Sequence, residues 1–362
     1  MEYANSIKIN QRLISFRSPA YFIADIASNH DGELQRALDL IYLAKESGAD
    51  AVKFQHFKAP QIVSDYGFRN LGGQLDHQAA WKKSVYDTYK YYECKQEWTE
   101  ELVKTAKKAG IDFFTTPYDI ESLEQLDRYV PAYKIGSGDI NWIDFIKQIS
   151  LKGKPVLLST GASTIEDVER AVAAIVGSNQ QIVLLQCNTN YTGDLDNFRY
   201  VNLNVLKAYA IHFPAMILGL SDHTPGAACV LGAIALGARV IEKHFTDDNN
   251  REGPDHSFAM NPYSWRDMVE RSRELELALG DSVKRIEENE KGTIVLQRRC
   301  LRLKRDIIKD ELLQESDIES LRPAPQDAFP PYMLKLLIGK RLIVDKEAGD
   351  ALYPSDLEDA QC

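Results

Sequence analysis

Short runs of β-branched and aromatic residues alternate with amphipathic stretches from residue 20 to about residue 281. Eight of the runs read as strands, at 20–27, 50–55, 112–116, 132–137, 155–160, 181–187, 216–221 and 240–244. The stretches between them, among them 33–47, 98–109, 120–129, 164–176, 203–212 and 227–236, carry apolar residues at helical spacing, and several end at glycine. A last helix at 263–279 completes eight strand–helix units, which predicts an α/β fold, a (β/α)₈ TIM barrel. A doubly wound sheet is the runner-up, although it rarely needs eight regular units. Residues 58–92 make a longer connection than βα units usually have, rich in polar and aromatic side chains, and are expected to loop over the barrel mouth as a lid.

Beyond residue 279 the pattern changes. The charged, polar stretch around 280–292 reads as a linker, and residues 298–357 show short strands, a Lys304–Asp306 turn and a proline-rich segment at 322–331. The expected organisation is a barrel over 1–282, a linker over 283–297 and a small β-rich domain over 298–362. A unit of that size has little core of its own and is expected to lean on the barrel or on another subunit.

Composition narrows the function classes. Of 362 residues, 44% are hydrophobic and 27% charged, with a formal net charge of −10, so no general basic surface exists for nucleic acid or anionic lipid. An anionic ligand must be held by a local pocket. No apolar run is long enough to span a bilayer, and residues 1–17 lack the apolar core of a signal peptide. The five cysteines (Cys94, Cys187, Cys229, Cys300 and Cys362) are odd in number, widely spaced and without a CxxC pair, which fits a reducing cytoplasm.

In a (β/α)₈ barrel the reactive groups sit at the C-terminal strand ends, and here every strand end is polar. Asp25 closes the first strand and is followed by Ser28, Asn29 and His30. Lys53 and Gln55, two apart and so on one face, close the second. Thr115 and Thr116 close the third; Lys134, Ser137 and Asp139 the fourth; Ser159 and Thr160 the fifth. Asn188 to Tyr191 follow the sixth, Ser221, Asp222 and His223 the seventh, and Glu242 and His244 the eighth. Two lysines among serine and threonine hydroxyls suit a phosphate or a phosphate plus carboxylate, whereas a single inward lysine is as readily a salt-bridged barrel residue. His223 and His244 close consecutive strands and can hold a divalent cation with open positions. Mn²⁺ is first, with Mg²⁺ or Co²⁺ as alternatives; Mn²⁺ and Mg²⁺ stand ahead of Zn²⁺ because no thiolate lies beside the pair. His56 and His212 read as structural, and Cys187 as a small barrel residue without a paired base. Asp25, Asp139 and Asp255 are candidate acid–base groups or acceptors for sugar hydroxyls, the competing role of each being a loop cap or salt bridge.

The ordered motifs SNHDG (28–32), GADAVKFQ (48–55), FFTTPYD (113–119), YKIGSGD (133–139), GKPVLLSTG (153–161), GLSDHT (219–224), EKHFT (242–246) and EGPDH (252–256) together resemble the sialic acid synthase (N-acetylneuraminate synthase) family. RRCL at 298–301 and Arg322–Pro323 resemble the antifreeze-like (SAF) domain that ends those enzymes. The resemblance spans nearly the whole chain. It implies condensation of phosphoenolpyruvate with an N-acetylated hexosamine, or a diacetamido-trideoxy hexose, with C–O cleavage and release of phosphate. It also implies residue roles: phosphoenolpyruvate on Lys53, Thr116, Lys134, Ser137, Ser159 and Ser221; a divalent metal on His223 and His244; and the sugar on Gln55, Tyr191 and Asp255. Asp25 and Asp139 are the candidates for moving protons and the attacking water. Arg322 is implied to reach the sugar's N-acyl group in trans, across a domain-swapped homodimer.

The chain departs from that family at Asp25 and Asp139, where glutamate is usual, after strand six, where a Tyr-Pro pair is missing, and over residues 58–92. All of these departures surround the sugar. The alternatives are a synthase that joins phosphoenolpyruvate to an aldose phosphate, making a seven- or eight-carbon acid, and a barrel that binds a sugar without turning it over.

Overall fold

The computed structural model describes residues 3–358, so Cys362 lies outside the described residues. The chain divides after Gly280 into two compact units.

The first unit opens with an antiparallel hairpin, β1 (Ser6–Ile9) and β2 (Arg12–Ser15), whose register pairs Ile9 with Arg12 across a two-residue turn. Asn10 takes φ 48° there, as such turns require. Eight parallel strands follow: β3 (Tyr21–Asp25), β4 (Ala51–His56), β5 (Asp112–Pro117), β6 (Tyr133–Ile135), β7 (Val156–Ser159), β8 (Ile182–Cys187), β9 (Ile217–Asp222) and β10 (Val240–His244). Their order in the sheet is β5-β4-β3-β10-β9-β8-β7-β6, and β5 and β6 at its two ends lie side by side. The fold is therefore the TIM barrel that the alternation predicts, and the doubly wound arrangement is set aside.

The outer helices form for local reasons that the sequence carries. In the helix Ile165–Val176, Thr164 and Asp167 make a reciprocal capping box, and Val168, Ala171, Val172 and Ile175 bury one stripe. The helix Thr99–Ala109 stops at Gly110, whose φ of 69° is the left-handed conformation of a C-terminal cap. Between helices and strands lies one continuous apolar layer that includes Phe22, Leu40, Ile41, Val52, Leu158, Ile175, Ile234 and Trp265.

A second apolar cluster fills the barrel itself. Tyr21, Ile23, Ala51, Phe114, Ala132, Leu157, Val183, Leu185, Ile217 and Val240 point inward, and Ile7, Ile9 and Ile14 of the hairpin join them. The hairpin thus stoppers the end at which the strands begin. It was not among the expected elements, because four-residue strands with charged neighbours give little periodicity.

The segment 58–92 is more ordered than a loop. It holds short helices at Ala59–Ile62, Asp65–Arg69 and Val85–Tyr91 and packs on its own apolar patch of Ala59, Val63 and Val85 with Ile62, Phe68, Trp81, Tyr86 and Tyr89. The second unit corrects the expectation of little internal core. Leu301, Leu303, Ile307, Leu313, Ile318, Leu337, Leu342, Leu352 and Leu357 form a buried cluster within it, around the antiparallel pair β11 (Cys300–Leu303) and β12 (Ile318–Leu321). The stretch expected to be a linker contains the helix Lys291–Gln297.

Candidate active site

Along each barrel strand the inward face is apolar near its start and polar near its end. Tyr21 and Ile23 give way to Asp25; Ala51 to Lys53 and Gln55; Phe114 to Thr116; Ala132 to Lys134; Leu157 to Ser159. Val183 and Leu185 likewise lead to Cys187, Ile217 to Ser221, and Val240 to Glu242 and His244. The two-residue strand period does this: an inward residue in the core commits the residue two further on to the mouth.

These groups converge on a buried charge cluster. Lys53 Nζ donates to Asp25 Oδ2 at 2.7 Å and to Thr116 Oγ1 at 3.3 Å, and lies 3.7 Å from Glu242 Oε1. Lys134 Nζ lies 3.4 Å from the same Glu242 oxygen. Gln55 Nε2 also donates to Asp25 Oδ2, at 2.9 Å. Burial alone would raise Asp25's carboxyl, but Lys53 and His244 outweigh it and hold it below the ordinary range; Lys53 is correspondingly raised by Asp25 and Glu242 against its own burial. Ser159 Oγ and Glu242 Oε2 are buried without a hydrogen-bond partner, so polar atoms are left aimed at whatever enters. Ser137 Oγ accepts from Gly161 N at 3.0 Å, which fixes the hydroxyl at the end of β6.

Asp139, half-buried two residues beyond Ser137, has its carboxyl pushed up to about 6 by desolvation, partly offset by Lys134. Cys187 is a thiol pushed up to about 11 by burial, in keeping with a barrel residue rather than a nucleophile. His56 is satisfied by Thr115 at 2.7 Å and Thr99 at 3.1 Å, and His212 pairs with Glu169 on the outer surface, so both are structural.

His223 and His244 come together with ring centroids 5.3 Å apart. His223 Nδ1 donates to the Asn188 carbonyl at 2.8 Å, which leaves Nε2 with its lone pair, and burial next to His244 pushes the ring down to about 3, keeping it neutral. His244 Nδ1 is buried with no hydrogen-bond partner, 3.9 Å from Asp255 Oδ2. Among the described residues no group of three or more His, Cys, Asp or Glu side chains is arranged to hold a metal. The pair fits a divalent cation that keeps its other positions open to water or substrate. Asp255 is oriented by Ser28, whose N and Oγ donate to it at 3.1 and 2.6 Å.

Above this floor lies a cavity of about 170 Å³ lined by Ser28, Gln55, His244 and Asp255 from the barrel and by Phe57, Trp81, Tyr89 and Tyr92 from the segment above it. Tyr191 links the two layers, with its ring 4.3 Å from His223, 5.0 Å from His77 and 5.6 Å from Phe258.

A profile of the NeuB family matches residues 40–284, and one of the SAF domain matches residues 298–358. The chain belongs to the NeuB family. Among NeuB-type relatives, the N,N'-diacetyllegionaminic acid synthase of Legionella pneumophila is 33% identical over 344 residues, covering 93% of this chain and 94% of that one. The pseudaminic acid synthase of Campylobacter jejuni is 33% identical over 341 residues, covering 93% and 96%. The crystal structure of N-acetylneuraminic acid synthetase from Leptospira borgpetersenii, in complex with citrate, superposes with a TM-score of 0.70 at 26% identity, covering 81% of this chain and 96% of that chain.

Of the residues singled out from the sequence, Asp25, Lys53, Gln55, Thr116, Lys134, Ser137, Asp139, Ser159, Tyr191, Ser221, His223, His244 and Asp255 all belong to the barrel unit, at or just beyond its strand ends. Arg322 belongs to the second unit, where its Nε donates to the Gln297 carbonyl at 2.6 Å. Glu242 was seen at a strand end but given no role; the two-residue spacing to His244 was the signal that places it inside. The ring-bearing residues of 57–92 carried no motif and emerge only from the fold.

Proposed function

We propose that the protein condenses phosphoenolpyruvate with the open-chain aldehyde of an N-acylated hexosamine, releasing phosphate and forming a nonulosonic acid. The observation that carries this reading is the pair of buried lysines, Lys53 and Lys134, beneath a mouth that also presents Ser137, Ser159 and Ser221 and opens into a sugar-sized cavity. Lys53 and Lys134 face the phosphate and carboxylate of the donor, with Thr116 and the three serines as short donors. His223 and His244 are the residues that would hold a divalent metal, Mn²⁺ first; when bound, that cation supplies a Lewis acid for the sugar's carbonyl.

Holding donor and acceptor together makes the bimolecular step effectively unimolecular. The C2–C3 π electrons of phosphoenolpyruvate form a bond from C3 to the aldehyde carbon, whose oxygen takes a proton. A water molecule adds its hydroxyl at C2 and gives up a proton, for which Asp139 is the accepting group. The C2–O bond to phosphate then breaks with its electron pair going to the phosphate, which takes the proton of the C2 hydroxyl as it leaves, and C2 becomes the ketone of the product. Asp25 stays ionised and holds Lys53 and Gln55 in place, so we assign it to positioning rather than proton transfer. Gln55, Tyr191 and Asp255 contact the sugar. We further assign Arg322 to the N-acyl group of the sugar bound by a second copy, in a domain-swapped homodimer. The four described cysteines are free, which suits a reducing cytoplasm, and no helix among the described residues is long and apolar enough to cross a membrane.

The test is phosphate release from phosphoenolpyruvate with Mn²⁺ over a panel of N-acylated hexosamines, with mass spectrometry of the products. Release with at least one sugar, and loss of both release and Mn²⁺ binding in His223→Ala, is the expected result. Silence across the panel in a folded protein that binds phosphoenolpyruvate would overturn the reading.

A further inference from the structure

Behind His223 and His244, on the outer faces of β9 and β10, sits a charged pair that the reaction itself does not use. The outward positions of these strands are otherwise apolar: Leu218, Leu220, Ile241 and Phe245 join the layer under the helices. Asp222 and Lys243 interrupt that run. They are register partners on adjacent strands, 3% and 1% exposed, and Lys243 Nζ donates to Asp222 Oδ2. Lys243 Nζ also donates to the Thr224 carbonyl. Thr224 in turn folds back on Asp222, its N donating to Oδ1 at 3.1 Å and its Oγ1 lying 2.9 and 3.0 Å from the two carboxylate oxygens. His223 stands between Asp222 and Thr224, and His244 follows Lys243. One buried ammonium therefore grips the chain on both sides of the first imidazole from the residue adjoining the second.

We propose that Lys243, acting through Asp222 and Thr224, is a positioning residue that sets the separation of His223 and His244 for a divalent cation. The inference rests on the metal assignment in the reading above and adds what holds the two rings in register. Stability alone does not call for the pair. Taking two charges out of water carries a penalty that their attraction barely repays, and packed apolar side chains often replace such a pair without loss of stability. What the pair adds is direction, because hydrogen bonds fix a position where apolar contacts let chains slide. The Asn188 carbonyl turns the ring of His223, and the bonds from Lys243 fix where its backbone stands relative to His244. A metal site tolerates displacements of only about half an ångström, so a loop released from Lys243 loses affinity with both imidazoles still present.

The experiment measures Mn²⁺ binding to the full-length protein without substrates, from the electron paramagnetic resonance of the free ion. Urea unfolding and calorimetric binding of phosphoenolpyruvate in the absence of metal accompany it. The double variant Asp222→Leu with Lys243→Met is expected to keep its urea midpoint, and its affinity for phosphoenolpyruvate within about threefold, yet to bind Mn²⁺ about 10- to 100-fold more weakly. Thr224→Val, which removes one hydroxyl and leaves the ion pair, is expected to weaken Mn²⁺ about threefold or more, and Thr224→Ser to restore it. That second pair decides the matter if the double variant does not fold. Mn²⁺ held by the folded double variant, or failing that by Thr224→Val, as tightly as by the unaltered protein would overturn this inference while leaving the metal on its two histidines. Equal losses of Mn²⁺ and phosphoenolpyruvate binding would mean a general loosening and overturn it as well. An unaltered protein that binds no Mn²⁺ would overturn the metal assignment and this inference with it.

Discussion

Asp25 and Asp139 stand at the ends of β3 and just beyond β6, and their surroundings drive their carboxyl groups in opposite directions. Asp25 is ion-paired to Lys53 at 2.7 Å and stays charged; Asp139 has no such close ammonium and is raised to about 6. A carboxyl raised to that value is protonated below pH 6 and becomes a base above it. We therefore expect kcat to rise as pH increases through about 6, and Asp139→Asn to lose that limb together with most of the rate, about 100-fold or more. The same shift has a stability sign. The folded state favours neutral Asp139, so its contribution is complete below the unfolded carboxyl's pKa and is lost as pH rises toward 6. At pH 7 Asp139→Asn should be more stable than the unaltered protein by roughly 1–3 kcal/mol, read from urea unfolding at pH 5 and pH 7. An equal pH profile in the variant would assign the proton transfer elsewhere. At this scale the site was largely legible, because one inward residue fixes the facing of the next but one, so Lys53, Lys134, Ser159 and His244 follow from the strand pattern alone. Glu242 was passed over because a carboxylate between two lysines announces itself only when the barrel closes and non-neighbouring strands point into one interior, and nothing in a linear sequence ties position 242 to positions 53 and 134.

The elements divide by length in how far they could be read. The eight barrel strands and the longer helices stood out, since their apolar stripes repeat often enough to be seen. The helices Ala59–Ile62 and Asp65–Arg69 have four and five residues, less than two turns, and no period can be read in so short a stretch. The hairpin escaped for the same reason, although Asn10 at the first turn position was a usable mark. Its contribution is testable, because Ile9 is fully buried at the floor of the barrel interior. Ile9→Ala should lower unfolding stability by about 2–4 kcal/mol, and Ile9→Asp by more, in urea titrations followed by tryptophan fluorescence. An unchanged midpoint in both variants would mean the hairpin rests on the barrel without supporting it.

For the whole molecule the prediction concerns the 82-residue second unit, Asp281–Cys362, to which the proposed role of Arg322 belongs. It has a core of nine buried apolar residues, so it folds around its own contacts and can carry Arg322 as a rigid attachment. If a second copy supplies that arginine, two individually impaired proteins should restore each other. Mixing Arg322→Ala with Lys53→Met under conditions of subunit exchange is expected to return about a quarter of the unaltered activity, since half the dimers are mixed and each has one intact site. Activity that stays at the level of the separate variants would remove the trans assignment. An exposed arginine in the second unit leaves no mark in the hydrophobic pattern, which is why Arg322 was reached only through resemblance. The hairpin that stoppers the barrel has one more consequence, in the order of synthesis. Ile7, Ile9 and Ile14 leave the ribosome before any barrel strand, yet they share one apolar cluster with Ala132, Val183 and Val240, so residues made ahead of the barrel are sheltered only when its last strand is in place. A nascent chain that ends before Val240 carries these isoleucines without their full cover, and they are where a chaperone or a premature aggregate would take hold.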